Sequence, residues 1–204
     1  MTSSLVSMAQ MFLRLGLDHV DLYIIHQPYN DYYGAWRALE ELYQEGKVRA
    51  IGIDNFTQDR LADFLAFNKV KPAMNLIEVN PYFQREDELV YNTSKDIQIG
   101  AWSSFVAGRG NLFQEPILKD IANQHHKSVA QVILRWLYQR GIVALCKGAT
   151  VEQIKQNLEI FDFELSQEDM EEITKLDIKE SFFGTRNTAE KVEKFIEIAK
   201  KYRV

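Results

Sequence analysis

One histidine stands out as a residue whose type and position could do chemistry. His26 lies near the end of the apolar run DLYIIHQP, two residues before a proline that cannot continue a sheet. Histidine exchanges a proton near neutral pH, so His26 is a candidate catalytic residue. The alternative is that it only fills the mouth of a buried strand layer.

The same pattern recurs four times downstream, where apolar runs end in polar or aromatic side chains. These runs are VRAIGIDNF, AMNLIEVNP, IQIGAWSSF and GIVALCKGA. If all five runs are parallel strands, their carboxyl ends face the same way, and the side chains that follow them should form one site. Glu78, in the third run, is predicted to belong to a local polar network rather than to act as a general base.

Helical patterns separate the apolar runs. The clearest is SVAQVILRWL, where Ser128 and Gln131 make a capping-box signature before one apolar stripe. Related signatures predict two more helix starts, at Thr150 with Gln153 and at Ser166 with Asp169. Residues 188–202 have the pattern of a charged amphipathic helix.

The alternation of strands and helices predicts an α/β fold with a parallel sheet. An open dinucleotide-binding sheet usually carries a G-x-G-x-x-G turn, which this sequence lacks, so a (β/α)8 barrel of the TIM type is favoured. A closed barrel needs eight strand–helix units and ~250 residues, whereas only about five units are recognisable here. We therefore expect residues 1–204 to form a single domain that is an incomplete barrel.

Composition limits the partners that this chain could have. The 204 residues are 46% hydrophobic, which suffices for one core, and no linker divides them. The net charge of -5 comes from dispersed acidic and basic residues, so no basic stripe for nucleic acid is present. The sequence predicts neither a signal peptide nor a membrane anchor. The single cysteine, Cys146, favours a reducing compartment, and we expect a cytoplasmic protein.

Four separated segments together carry a resemblance to a known family. They are LGLDHVDLYIIHQP, YGAWRALEELYQEGKVRAIGIDNF, NLIEVNPYFQ and SVAQVILRWLYQRGIVALCKGA. In order and spacing, over nearly the whole chain, they resemble the aldo-keto reductases. The resemblance implies a (β/α)8 barrel that reduces aldehydes and ketones with NADPH, with NADH as the alternative cofactor. It also implies that the sequence begins in the helix before the family's fourth strand, so that the first three strands are absent.

The resemblance gives His26 the role of the active-site histidine, which orients and polarises the substrate carbonyl. The family's other catalytic residues are an aspartate, a tyrosine that donates a proton, and a lysine. Because these belong to the first three strands, the resemblance implies that this chain is an impaired reductase.

The resemblance also implies a set of cofactor-binding residues: Asn55, Trp102, Ser103, Lys147 and Asn157. Trp102 stands where an aromatic ring stacks on nicotinamide, and Lys147 where a lysine meets the adenosine 2'-phosphate. Packing alone could equally explain Trp102, and Lys147 could be an ordinary surface lysine.

Several positions depart from the family pattern. Asp54 stands for the usual serine, Leu76 for a glutamine, Gln153 for an arginine and Gln156 for a glutamate. Neutral glutamine lacks the charge and the planar fork with which arginine binds phosphate, so a weakened anion pocket is expected.

Two classes of function stay open at this point. The first is a carbonyl reductase; the second is a catalytically silent barrel fragment that binds a nucleotide or pairs with another subunit, including self-association through open sheet edges. A metal-dependent hydrolase is disfavoured because His125 and His126 are adjacent rather than spaced as ligands on one helix face, and no metal site is expected.

Overall fold

The computed structural model describes residues 14–202, which form a five-stranded parallel sheet connected by helices. The strands lie in chain order, and each one pairs in parallel with the next. They are β1 (Val20–Ile25), β2 (Val48–Asp54), β3 (Met74–Glu78), β4 (Gln98–Trp102) and β5 (Val143–Ala144). The predicted α/β fold with a parallel sheet is confirmed.

Eight α-helices follow β1 within the described residues. They are α1 (Tyr32–Gln44), α2 (Gln58–Phe67), α3 (Glu86–Ser94), α4 (Pro116–Gln124), α5 (Val129–Gln139), α6 (Val151–Leu158), α7 (Gln167–Thr174) and α8 (Ala189–Tyr202). Two short 3₁₀ turns, Val106–Gly108 and Leu112–Gln114, follow β4. Over this part of the chain, none of the helices has both the length and the apolarity needed to cross a membrane.

The predicted helix starts are confirmed. Ser128 caps α5 and Ser166 caps α7, each within a complete capping box. Thr150 caps α6 by accepting a hydrogen bond from the Gln153 backbone N–H. These caps satisfy backbone donors that the first helical turn leaves without partners.

The last strand is shorter than the run GIVALCKGA suggests. Only Val143 and Ala144 pair with β4, opposite Gly100 and Ala101. One further backbone bond, from Leu145 N–H to the Ala101 carbonyl at 2.9 Å, follows before the chain leaves the sheet. In the described sheet β5 has a neighbour on one side only, so fewer hydrogen bonds hold it in place. The paired segment is therefore shorter than the apolar pattern of the sequence.

The core lies on the face of the sheet that the helices cover. Ile51, Ile53, Ile77 and Ile99 point to this face and are at most 2% exposed. Alternation along the strands sends the intervening residues to the opposite, inner face, where Leu22 is 38% exposed. Within residues 14–202, the inner face is therefore the less covered side of the sheet.

Asn75 fixes the loop that follows β2. Its side chain is fully buried on the helix-covered face and donates to the Phe56 carbonyl at 2.9 Å and to Asn92 Oδ1 at 3.3 Å. It also accepts from the Phe56 N–H at 3.4 Å. A buried amide that satisfies both backbone groups of Phe56 holds the adjoining residue Asn55 in place.

Glu40 performs a similar task at the other end of the sheet. Its carboxylate is buried on α1 and accepts the backbone N–H groups of Lys69 at 2.9 Å and Val70 at 2.7 Å. Trp36, also on α1, donates its indole N–H to the Val70 carbonyl at 3.2 Å. These bonds attach the α2–β3 loop to α1.

We expect Glu40→Ala to lower the free energy of unfolding by about 2 kcal/mol, because two partly buried backbone N–H groups lose their shared acceptor. Urea unfolding followed by circular dichroism measures this change. Glu41→Ala, at the neighbouring exposed position of α1, is the matched control and should change the stability by less than about 0.5 kcal/mol. Equal stability of the two variants would contradict this account of the loop.

Candidate active site

The carboxyl ends of four adjacent strands bring together the side chains that could do chemistry. His26 follows β1, Asp54 ends β2, Glu78 ends β3 and Trp102 ends β4. The register places Ile25 opposite Ile53 and Glu78 opposite Trp102, so these positions lie at one edge of the sheet. The predicted convergence of the strand ends is confirmed for these four strands.

His26 and Asp54 form a close pair. His26 Nδ1 lies 2.6 Å from Asp54 Oδ2. The imidazole is 67% exposed, whereas the Asp54 side chain is only 5% exposed. Gln27, the next residue, is in the left-handed region at φ 69°. The pair therefore combines a buried acceptor with a ring that solvent and ligands can reach.

Two opposing influences act on the charge of the Asp54 carboxyl: burial disfavours the ionised form, and neighbouring groups favour it. Burial raises the pKa of Asp54 above its ordinary value, and the neighbouring His26 and Arg186 act in the opposite direction. Asn55 donates its side-chain amide to Asp54 Oδ1. A charged carboxylate at this position thus depends on His26 and on its hydrogen-bond donors.

Asn55 extends the pair toward β4. Its backbone is left-handed, at φ 59°, and its N–H donates to the Leu76 carbonyl at 2.9 Å. Trp102 donates its indole N–H to Asn55 Oδ1 at 3.1 Å. His26, Asp54, Asn55 and Trp102 are therefore joined by side-chain contacts into one chain along the rim.

Glu78 belongs to a separate polar network. Its side chain is buried and accepts from the Ser181 hydroxyl and from Asn80 Nδ2 at 3.2 Å. Burial is the main influence and raises the pKa of Glu78, while these hydrogen bonds lower it. The prediction that Glu78 forms part of a local network is confirmed.

Residues 181–187, called here the rim loop, lie against the ends of three strands. Ser181 bonds Glu78, the Phe183 ring lies 5.4 Å from Trp102 at an interplanar angle of 67°, and Arg186 donates to Gln27 Oε1 at 3.1 Å. The Arg109 guanidinium lies 4.5 Å from the Phe183 ring centroid. The rim loop therefore contacts the same side chains that form the site.

The other predicted cofactor residues lie beside this chain of contacts rather than in it. Ser103 is left-handed at φ 57°, and its buried hydroxyl has no hydrogen-bond partner among the described residues. Lys147 is exposed and follows β5, at the same edge of the sheet as Trp102. Asn157 is half-buried on α6. The predicted residues that the structure joins directly are thus Asn55 and Trp102, with His26 linked through Asp54.

The segment around Lys147 packs closely on the start of α6. A Cβ added to Gly148 would lie 2.9 Å from the Ile154 backbone nitrogen, so this approach requires glycine. The two glutamines that replace charged family residues bond locally: Gln153 accepts from the Ala149 N–H at 2.8 Å, and Gln156 donates to Glu152 at 3.3 Å. Their amides support the loop and the helix.

No group of three or more histidine, cysteine, aspartate or glutamate side chains in residues 14–202 is arranged to hold a metal ion. His125 instead contacts Asp169 Oδ2 at 2.9 Å and lies against the Phe163 ring. Its position on the loop between α4 and α5 gives it a packing role next to the α7 cap.

Three contacts of the site are not predicted by the sequence. The sequence shows Asp54 only as a replacement for the usual serine, and its pairing with His26 depends on the register of β1 and β2. Arg186 and Ser181 reach the rim from more than 100 residues farther along the chain. The feature of the sequence that could have predicted the His26–Asp54 pair is that the two residues stand at the ends of neighbouring parallel strands.

Comparison with known proteins assigns the chain to a family. The model of the aldo/keto reductase family matches residues 5–178, so the chain belongs to this family. It is 43% identical over 175 residues to glyoxal reductase of Bacillus subtilis, an alignment that covers 85% of this chain and 63% of that protein. The curated relatives that it matches are longer, and the chain spans 58% and 63% of the first two.

Solved structures of the family superpose on this one. An aldo/keto reductase from Brucella melitensis gives a TM-score of 0.81 at 40% identity, covering 86% of this chain and 68% of that one. A Bombyx mori aldo-keto reductase in complex with NADP gives 0.80 at 30% identity, covering 86% and 63%. The parallel sheet described above is consistent with the (β/α)8 barrel of this family.

We expect Glu78→Gln to stabilise the protein more at about pH 7 than at about pH 4. Because burial raises the folded-state pKa of Glu78, its contribution to stability is complete below the unfolded pKa, 4.5, and is lost as the pH rises through the folded value. Glutamine does not ionise and escapes this loss. Urea unfolding at several pH values measures the difference.

The control for this pH dependence is Glu180→Gln, an exposed position next to Ser181. This substitution makes the same chemical change outside the buried network, and the comparison isolates the effect of burial at Glu78. A constant difference for Glu78→Gln would show that burial of Glu78 has no linkage to folding.

Proposed function

We propose that this chain carries out NADPH-dependent reduction of small aldehydes and ketones to alcohols, as part of an aldo-keto reductase barrel. The observation that carries the proposal is the line of contacts from His26 through Asp54 and Asn55 to Trp102. It places a reachable imidazole, an amide and an indole ring at the carboxyl ends of parallel strands, where ligands bind in barrels.

We infer that the five strands correspond to the fourth to eighth strands of the family barrel. His26 then ends the fourth strand and Lys147 follows the eighth. The aspartate, tyrosine and lysine of the first three strands have no counterpart among residues 14–202, and we expect the 204-residue chain to turn over slowly by itself.

The side chains at the rim fit the nicotinamide end of the cofactor. Asn55 offers an amide, Ser103 has a buried hydroxyl that needs a partner, and the indole bond to Asn55 fixes the plane of the Trp102 ring. When bound, NADPH supplies the hydride. Lys147 supplies a cation for the 2'-phosphate, with Asn157 beyond it on α6, whereas NADH would lack that phosphate.

We infer that His26 would be the hydrogen-bond donor to the carbonyl oxygen of the substrate. Reduction builds negative charge on the carbonyl oxygen, and a positioned donor stabilises that charge. Small carbonyls are the substrate class that we infer, by analogy with the relative named glyoxal reductase. The exposed thiol of Cys146 suits a reducing compartment, so we place the protein in the cytoplasm.

A second candidate is a catalytically silent module that binds nucleotide or another subunit. The inner face favours it, since Leu22 is 38% exposed there and β1 and β5 each pair on one side only within residues 14–202. Such a module could also self-associate through these edges. Saturable NADPH binding without oxidation of NADPH by any of a panel of aldehydes would favour this candidate.

We expect His26→Asn to lower kcat for aldehyde reduction by about 10²-fold, because the carbonyl oxygen loses its donor. The loss of NADPH absorbance in the presence of an aldehyde panel measures the rate. His19→Asn, an exposed histidine at the opposite end of β1, is the matched control and should retain the rate. Equal rates for the two variants would remove His26 from the mechanism.

We expect Lys147→Met to weaken NADPH binding by about tenfold and to leave NADH binding unchanged, because only NADPH carries the 2'-phosphate. Titration of the tryptophan fluorescence gives both dissociation constants. Lys155→Met on the exposed side of α6 should bind both cofactors as the unmodified chain does. An equal effect of Lys147→Met on NADH would mean that this lysine does not read the phosphate.

A further inference from the structure

Arg109 joins two loops at the carboxyl ends of the strands. It lies in residues 103–111, which follow β4 and are called here the β4 loop, and its side chain reaches the rim loop. Arg109 Nη1 donates to the Phe182 carbonyl at 2.6 Å, and Arg109 Cζ lies 4.5 Å from the centroid of the Phe183 ring. A charged hydrogen bond and a cation–π contact thus act on adjacent residues of the rim loop. These two contacts are called here the Arg109 bridge.

The Arg109 bridge holds Phe183 beside Trp102. The two aromatic rings lie 5.4 Å apart, within the range of a direct aromatic contact. The Trp102 indole is itself fixed, because its N–H donates to Asn55 Oδ1 at 3.1 Å. Phe183 therefore occupies space next to the ring on which, under the proposed function, nicotinamide stacks.

A second contact packs the β4 loop against the rim loop. Gly110 is left-handed at φ 64°, and a Cβ added to it would lie 2.8 Å from Phe182 Cζ. The Tyr82 hydroxyl donates to the Gly110 carbonyl at 3.2 Å, and the Tyr82 ring lies 5.8 Å from the Phe182 ring. A residue with a side chain at position 110 would have to displace Phe182, so the two loops are tightly packed.

The backbone of the β4 loop is strained. Four residues other than glycine have left-handed φ angles: Ser103 at 57°, Val106 at 53°, Ala107 at 49° and Asn111 at 52°. A β-branched residue such as Val106 rarely adopts this conformation. Strained backbone persists where surrounding contacts hold it, and the Arg109 bridge is one of these contacts. Breaking the bridge therefore lets the loop relax.

We propose that the Arg109 bridge is an autoinhibitory contact, which holds the rim loop against Trp102 in the ligand-free chain and must open before NADPH binds. This inference rests on the proposed function. It concerns access to the site rather than the chemistry, and it gives Arg109 control over the fraction of molecules that are open.

The direction of one binding change distinguishes this role from a direct one. When a ligand binds only the open form, its apparent affinity is reduced in proportion to the open fraction. Removal of the bridge raises that fraction, so NADPH should bind more tightly although the chain has lost a cation. If Arg109 instead contacted the phosphates of NADPH, the loss of its charge would weaken binding.

The first test measures how accessible Trp102 is in the ligand-free full chain. Trp36 and Trp136 are at most 1% exposed, whereas Trp102 is half-buried, so acrylamide quenching of tryptophan fluorescence reports mainly on Trp102. We expect Arg109→Met to raise the quenching constant about twofold, because the open fraction increases. Arg37→Met, at an exposed position of α1, makes the same charge change and should leave the constant unchanged. An unchanged constant for Arg109→Met would overturn the inference.

The second test is calorimetric titration of the same chains with NADPH. We expect the dissociation constant of Arg109→Met to fall about fivefold, and that of Arg37→Met to stay unchanged. Phe183→Ala removes the ring beside Trp102 without changing the charge, and its dissociation constant should fall as well. The double variant should gain no more than the better single variant, because both changes break the same contact. Arg109 is exposed and Phe183 is 37% exposed, and circular dichroism checks that each variant keeps its fold.

The outcomes separate the two proposals. If neither the unmodified chain nor any variant binds NADPH, the proposed function fails, and the quenching measurement alone decides whether the bridge holds the rim loop closed. If the unmodified chain binds NADPH and Arg109→Met binds it more weakly, the proposed function stands and the autoinhibitory contact is refuted. Equal dissociation constants for the unmodified chain and Arg109→Met would refute it too.

Discussion

Parallel pairing of the strands is the constraint on which the rest of the structure depends. Because each strand runs in the same direction as its neighbour, every strand delivers its carboxyl end to one edge. Alternation then sends His26, Asp54, Glu78 and Trp102 to the same face, since each lies an even number of residues from the inward-pointing positions of its strand. A shift of one residue in any pairing would move one of these side chains into the helical layer.

The edge that parallel pairing creates is also where the protein buries charge. Asp54 and Glu78 are both buried, and burial raises the pKa of each. The partners differ: Asp54 contacts the His26 ring and the Asn55 amide, whereas Glu78 contacts the Ser181 hydroxyl and the Asn80 amide. Of these two carboxylates, Asp54 has a histidine as a partner, whereas the hydroxyl and amide partners of Glu78 are neutral. We therefore treat Asp54 as part of the candidate site and Glu78 as part of a structural network.

The sequence predicts local structure here better than it predicts side-chain partners. The capping signatures at Ser128 and Ser166 need only three residues of chain, and both helices begin where expected. The short β5 was overestimated because its apolar pattern carries no information about how many neighbours it has. The pairing of His26 with Asp54 and the reach of Arg186 depend on register and on contacts distant in sequence, which periodicity does not encode.

The rim loop has a kinetic consequence. Ser181, Phe183 and Arg186 connect it to the ends of three different strands, through a hydroxyl, an aromatic edge and a guanidinium. A ligand that packed on the Trp102 ring where Phe183 now lies would first have to displace Phe183. Its association would then include a movement of the rim loop, and such a step makes association slower than collision.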